Sequence, residues 1–109
     1  MRVATINIPR ALNNGQPCPA VLSTAIHEII TAFNGCTVVD TGVGYWKDDK
    51  GVLVQDQVNI VTIAMEPTDD NDAILKGIAE RVAVAADQQS VYVIYADGVV
   101  DFITQPKRN

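Results

Sequence analysis

Through RVATINI, residues 2–8, Val3, Thr5 and Asn7 alternate with Ala4, Ile6 and Ile8. A period of two with one apolar set predicts a strand. The next eleven residues, PRALNNGQPCP (9–19), hold three prolines, a glycine and two asparagines, which predicts an irregular loop. From residue 20 the period changes. AVLSTAIHEIITAFNG (20–35) sets Val21, Leu22, Ala25, Ile26, Ile29, Ile30 and Phe33 on one helical stripe. Pro19 suits the first helical turn and Asn34-Gly35 a left-handed stop. Two long β-forming runs follow, CTVVDTGVGYWK (36–47) and VLVQDQVNIVTIAM (52–65), joined by Asp48-Asp49-Lys50-Gly51. That junction has the composition of a type I turn closed by a glycine bulge. TDDNDAILKGIAERVAVAAD (68–87) opens on capping residues and repeats Ile74, Leu75, Ile78, Ala79, Val82 and Ala86 at helical spacing. Gly77 either weakens this helix or lets it approach a sheet. SVYVIYA (90–96) and VVDFIT (99–104) are two further strands about the Asp97-Gly98 turn.

The order β-α-β-β-α-β-β predicts an α+β fold: a ferredoxin-like βαββαβ unit with an additional C-terminal strand, its antiparallel sheet carrying two helices on one face. A sheet wet on its other face should alternate apolar with polar residues. In the third strand, however, Val58, Ile60 and Ala64 oppose Val61, Ile63 and Met65. In the fourth, Val91 and Val93 oppose Ile94 and Ala96, with Tyr92 and Tyr95 on opposite sides. No third helix is left to cover the second face, so a homo-oligomer burying its sheets against one another is expected.

Composition narrows the function classes. The chain has 109 residues, 48% hydrophobic and 19% charged, which fits one domain over 1–109, with 105–109 read as a flexible tail. A net charge of −5 disfavours nucleic acid and anionic membrane as partners. No run approaches the ~18 apolar residues needed to cross a bilayer, and no signal peptide is evident; a cytoplasmic protein is expected. Cys18 and Cys36 flank the first helix, which would hold them roughly 24 Å apart, beyond the reach of a disulfide. Two reduced thiols are expected, with no metal site and no cofactor.

TGVGYWKDDKG (41–51) is the one stretch with the look of a motif. A dinucleotide fingerprint needs G-x-G-x-x-G between a strand and a helix, but Lys47 stands at the third position and another strand follows. Gly42 and Gly44 read first as residues that bend a long hairpin or admit a close neighbour. The stretch reads second as the wall of a flat-ligand site, with Tyr45 and Trp46 for stacking and Lys47 for one positive charge. In the 9–19 loop, Arg10 is an anion-binding candidate. EPTDDND (66–72) places its acids where they cap a helix, without the spacing of a calcium loop. The single histidine, His27, has no partner that would make it a ligand or a base. No catalytic residue is assigned.

With these residues in place the chain resembles the PII-like (GlnB-like) signalling proteins. It also resembles small phage and environmental relatives that share an Asn-Gly-x-Thr…Gly-x-Gly-Tyr-Trp…Asp-x-x-Gly segment, here Asn34 to Thr37 and Gly42 to Gly51. The resemblance implies a trimer with inward-facing sheets and small-molecule sites in intersubunit clefts, which in PII proteins take adenine nucleotides. The long partner-contacting loop of PII proteins is reduced here to Asp48–Gly51, without a tyrosine at its tip, which argues against nitrogen sensing. The favoured reading is a binding or regulatory protein rather than an enzyme, with Arg10, Gly42, Gly44, Tyr45, Trp46 and Lys47 around a small nucleotide-like ligand. The alternative is a small trimeric enzyme acting on a nucleotide-like substrate such as S-adenosylmethionine, on which some phage-encoded members of the superfamily act.

Overall fold

The structure, a computed structural model, describes residues 1–106. Its elements are β1 (Arg2–Pro9), α1 (Pro19–Phe33), β2 (Thr37–Lys47), β3 (Leu53–Met65), α2 (Asp69–Ala85), β4 (Ser90–Ile94) and β5 (Val100–Thr104). The five strands form one sheet in the order β2-β3-β1-β4-β5, and every neighbouring pair is antiparallel. The α+β, ferredoxin-like arrangement expected from the hydrophobic pattern is therefore what the chain adopts, with β5 added at the edge beside β4.

Local chemistry sets the boundaries. Asn34 takes a left-handed conformation (φ 74°) and its N–H donates to the Ile30 carbonyl at 2.9 Å, closing α1. The Thr68 side chain accepts from the Asn71 N–H at 3.2 Å and caps α2, with Asp69, Asp70 and Asp72 in its first turn. At the β2–β3 junction Asp48 Oδ1 accepts from the N–H groups of Lys50 and Val52, each at 2.9 Å, and Gly51 has φ 79°. A left-handed φ at that position is why the turn ends in glycine.

Both helices cover one face. Ala4, Ile6 and Ile8 of β1, Val61, Ile63 and Met65 of β3, and Val91, Val93 and Ile103 pack beneath Val21, Ala25 and Ile29 of α1 and Leu75, Ile78, Ala79, Val82 and Ala83 of α2. The buried stripes are narrower than the periodicity predicts, since Ile30 and Ile74 are exposed. Gly77 does not bring α2 onto the sheet. A Cβ there would lie 3.3 Å from a guanidinium nitrogen of Arg81, which reaches across to Glu28 at 2.9 Å.

The opposite face carries no helix. Exposed Val3, Val39, Trp46, Val100 and Phe102 lie on it with half-buried Ile60, Tyr92 and Ile94. Thr5, Asn7, Asp56, Thr62 and Ser90 interrupt them, so this face is less uniformly apolar than β3 and β4 alone suggest. Beyond Gly42 the β2–β3 hairpin is an arm exposed on both sides, with Tyr45 62% accessible on one and Trp46 41% on the other. Of the C-terminal segment, Gln105 donates its side-chain N–H to the Gln88 carbonyl at 3.0 Å; residues 107–109 of the expected tail lie outside the described residues. No helix among the described residues is long and apolar enough to cross a membrane.

Candidate functional site

The hairpin arm, the 9–19 loop and β4 enclose a cleft in the open sheet face. Its larger lobe, about 540 Å³, is lined by Asn7, Leu12, Asn13, Trp46, Asp56 and Tyr92 among others. A second lobe of about 450 Å³ shares Asn13, Trp46, Asp56, Gln88, Ser90 and Tyr92 and extends to Lys47, Asp48 and Phe102. Each lobe falls within the few-hundred to ~1,000 Å³ range of small-molecule sites.

Glycine shapes the aromatic wall. Neither Gly42 nor Gly44 has a positive φ, so these positions call for space rather than for a special backbone conformation. A Cβ on Gly44 would lie 2.7 Å from the indole of Trp46, two residues along on the same face. The ring therefore folds back over Gly44. A Cβ on Gly42 would meet the Ile60 side chain at 2.8 Å and Val58 at 3.1 Å, which is how Val58 comes to be only 5% exposed on a face without a helix. The register slips between Val39 and Gly42, a bulge that starts the arm.

The loop wall is ordered by its own backbone. Ala11 bridges to Pro17, Leu12 N–H donates to the Gln16 carbonyl at 2.8 Å, and Gly15 N–H donates back to Leu12 at 2.8 Å with φ 87°. Gln88 ties this loop to the α2–β4 junction, its side-chain N–H donating to the Ala11 carbonyl at 3.1 Å. Cys18 and Cys36 are both free thiols, and burial pushes the Cys18 thiol up from its ordinary value.

The residues picked out from the sequence are only partly brought together. Trp46 and Lys47 line the cleft, whereas Gly44 lies beneath the indole and Gly42 against Ile60 and Val58, neither in the lining. Tyr45 pairs with Gln55 and projects from the other side of the arm. Arg10 joins the structure through its backbone, donating to the Gln57 carbonyl and accepting from Cys18 N–H, each at 3.1 Å. Its exposed side chain is not among the cleft lining, although Pro9 and Ala11 are. Sequence reasoning passed over Asp56, Tyr92 and Gln88. Asp56 had a usable signal: once the Asp48–Gly51 turn sets the hairpin register, it stands directly opposite Gly44.

A second polar cluster gathers where α2 begins and β4 turns into β5. The Tyr95 hydroxyl donates to Asp101 Oδ2 at 2.9 Å. Burial first, then that hydrogen bond and the charges of Asp101, Asp72 and Asp97, push the phenol up to about 12. Asp72 is likewise raised, by burial and then by Asp97 and Asp69, and its Oδ1 has no hydrogen-bond partner. Among the described residues no group of His, Cys, Asp or Glu is arranged to hold a metal ion.

Comparison with solved structures gives the same fold. A phage SAM lyase in its apo state matches with TM-score 0.72 and 16% identity, covering 98% of this chain and 91% of its own. A phage SAM lyase in complex with S-methyl-5′-thioadenosine matches with TM-score 0.71 and 18% identity over 98% and 92% of the two chains. The divalent cation tolerance protein Cut A1 from Thermus thermophilus matches at TM-score 0.51 and 14% identity, over 99% and 84%. At these identities the likeness is one of fold, and it supports the ferredoxin-like part of the PII resemblance. No curated protein matches the sequence. Residues 24–102, from the middle of α1 into β5, match the family described as protein of unknown function DUF3574, and not PII itself. The chain belongs to the DUF3574 family.

Proposed function

We propose that this protein is a cytoplasmic homo-oligomer, built from one PII-like domain per subunit, that binds a flat, nucleoside-like small molecule in the cleft of its open sheet face. The observation that carries the reading is the cleft itself. Two sequence-distant segments, the glycine-seated Trp46 on the arm and Tyr92 on β4, face one polar cavity of ligand size. Aromatic surfaces bind flat rings, and the neighbouring Asn7, Asn13, Gln88 and Ser90 supply hydrogen-bonding groups for orientation. The oligomer is supported by Val3, Val39, Val100 and Phe102 on the open face and by Val43, Tyr45 and Leu53 on the arm, all exposed in the single chain. A trimer is the assembly we expect, with the cleft at the subunit boundary. Arg10 and Tyr45, on the flank of the cleft rather than in its lining, would then meet ligand or a neighbouring subunit at that boundary.

A second reading, an enzyme acting on S-adenosylmethionine, is favoured by one observation. The match to the phage SAM lyase bound to S-methyl-5′-thioadenosine runs over 98% of this chain. Light scattering combined with a thermal-shift screen of adenine nucleotides, S-adenosylmethionine and S-methyl-5′-thioadenosine tests both. A trimer stabilised by one of these compounds supports the binding reading. Release of S-methyl-5′-thioadenosine from S-adenosylmethionine on prolonged incubation would decide for the enzyme. A monomer would overturn the oligomer, and no thermal shift with any of these compounds would overturn the nucleoside-like ligand.

A further inference from the structure

We infer that the cleft selects an organic cation, an ammonium or a sulfonium held between the Asp56 carboxylate and the face of the Trp46 indole. This rests on the reading of the cleft as a ligand site and adds the charge of what enters it. Among the described residues, Asp56 is the only charged one lining the larger lobe, and it lines the second lobe as well. It is half-buried, and neither ion pair of the described residues involves it. A carboxylate held partly out of water without a cation has an incentive to take one from the ligand.

The geometry supplies the second partner. Asp56 stands directly across from Gly44 in the hairpin ladder, and the Trp46 indole lies back over Gly44, close enough to exclude a Cβ there. The missing side chain thus seats the indole on the same side of the arm as an unpaired carboxylate. A cation over an indole is attracted by the ring quadrupole, most strongly where water is thinned. Tyr92, edge-on to Phe102 with centroids 5.4 Å apart, adds a second ring to the same cleft. Lys47 and Asp48, one charge of each sign, line the second lobe together with Asp56, so the described residues lining that lobe carry one net negative charge.

Isothermal titration with S-adenosylmethionine and S-adenosylhomocysteine, which differ in the charge at sulfur, tests this on the full chain. The wild type is expected to prefer the sulfonium by roughly tenfold. Asp56→Asn should abolish that preference by weakening the sulfonium alone, while Asp56→Glu should keep part of it and guards against a folding artefact. Equal affinity of the wild type for the two compounds would overturn the charge inference and leave the nucleoside reading standing. If neither binds, phenyltrimethylammonium, a flat cation without a nucleoside, separates the two claims. Asp56-dependent binding of that probe would retain the cation site and sink the nucleoside reading, and its failure to bind would sink both.

Discussion

Replacing Gly44 with alanine separates the position of the indole from the stability of the fold. The new Cβ would stand 2.7 and 2.8 Å from two ring carbons, about 0.7 Å inside ordinary van der Waals contact, so the ring must leave its seat. Off-rotamer displacement of a side chain costs ~0.5–1.5 kcal/mol. Removing a glycine that needs no positive φ returns ~0.4–1 kcal/mol through the unfolded chain. The net change in stability should therefore be small, within about 1 kcal/mol. The ring is a different matter. Trp46 is the only tryptophan, so its emission maximum and acrylamide quenching report one side chain. Gly44→Ala is expected to red-shift the emission and raise quenching while moving the melting temperature by no more than roughly 4–8 °C. Gly42→Ala is the control with the opposite signature. Its Cβ would press on Ile60 at 2.8 Å and on buried, β-branched Val58 at 3.1 Å, an overpacking of ~1–3 kcal/mol. It should unfold earlier with native-like quenching. Unchanged quenching in Gly44→Ala, or full stability in Gly42→Ala, would refute the spatial reading of these two glycines.

Tyr95, buried and bonded to Asp101, should ionise near pH 12, two units above an ordinary phenol. The stability it contributes is intact below pH 10 and is lost as pH rises toward 12. Ultraviolet titration at alkaline pH should show a late tyrosinate step that disappears in Tyr95→Phe. Asp72 is raised above 3.8, so the folded state prefers its protonated form and stability should rise on acidification through that window. Asp72→Asn should flatten this part of the profile and be no less stable at neutral pH, as read by urea unfolding. Thr68→Ala removes the cap of α2 and should cost about 1 kcal/mol, read from the same unfolding midpoint. Gln88→Ala deletes the side-chain bond to the Ala11 carbonyl, at ~0.5–1.5 kcal/mol, and should speed amide exchange in residues 11–16 before any other region.

The elements and their order were legible because each carries its period and its punctuation in neighbouring residues. Pro19 and Asn34 bound α1, Thr68 opens α2, and Asp48 to Gly51 make the β2–β3 turn. These are interactions within a few positions along the chain, and a single sequence displays them. The antiparallel pairing of β2 with β3 follows from that turn, and with it the placement of Asp56 opposite Gly44. The sequence also pointed to Trp46 and Lys47, and to an open face that two helices cannot cover.

What the sequence could not reveal is which of its polar and aromatic groups meet across long separations. Tyr92 and Ser90 reach the cleft only because β4 pairs with β1 and thereby joins the sheet that carries the arm. Asn13 reaches it because the 9–19 loop folds on its own hydrogen bonds and is held by Gln88, a residue 77 positions from the carbonyl it contacts. Tyr45 was grouped with Trp46 by adjacency, yet strand alternation puts the two on opposite sides of the arm, and the bulge after Val39 decides which side is which. Local sequence determines periodicity, caps and turns because those free energies are local. The cavity, and the meeting of arm, loop and β4 around the indole and the Asp56 carboxylate, arise from the summed packing of five strands, which only the tertiary structure specifies.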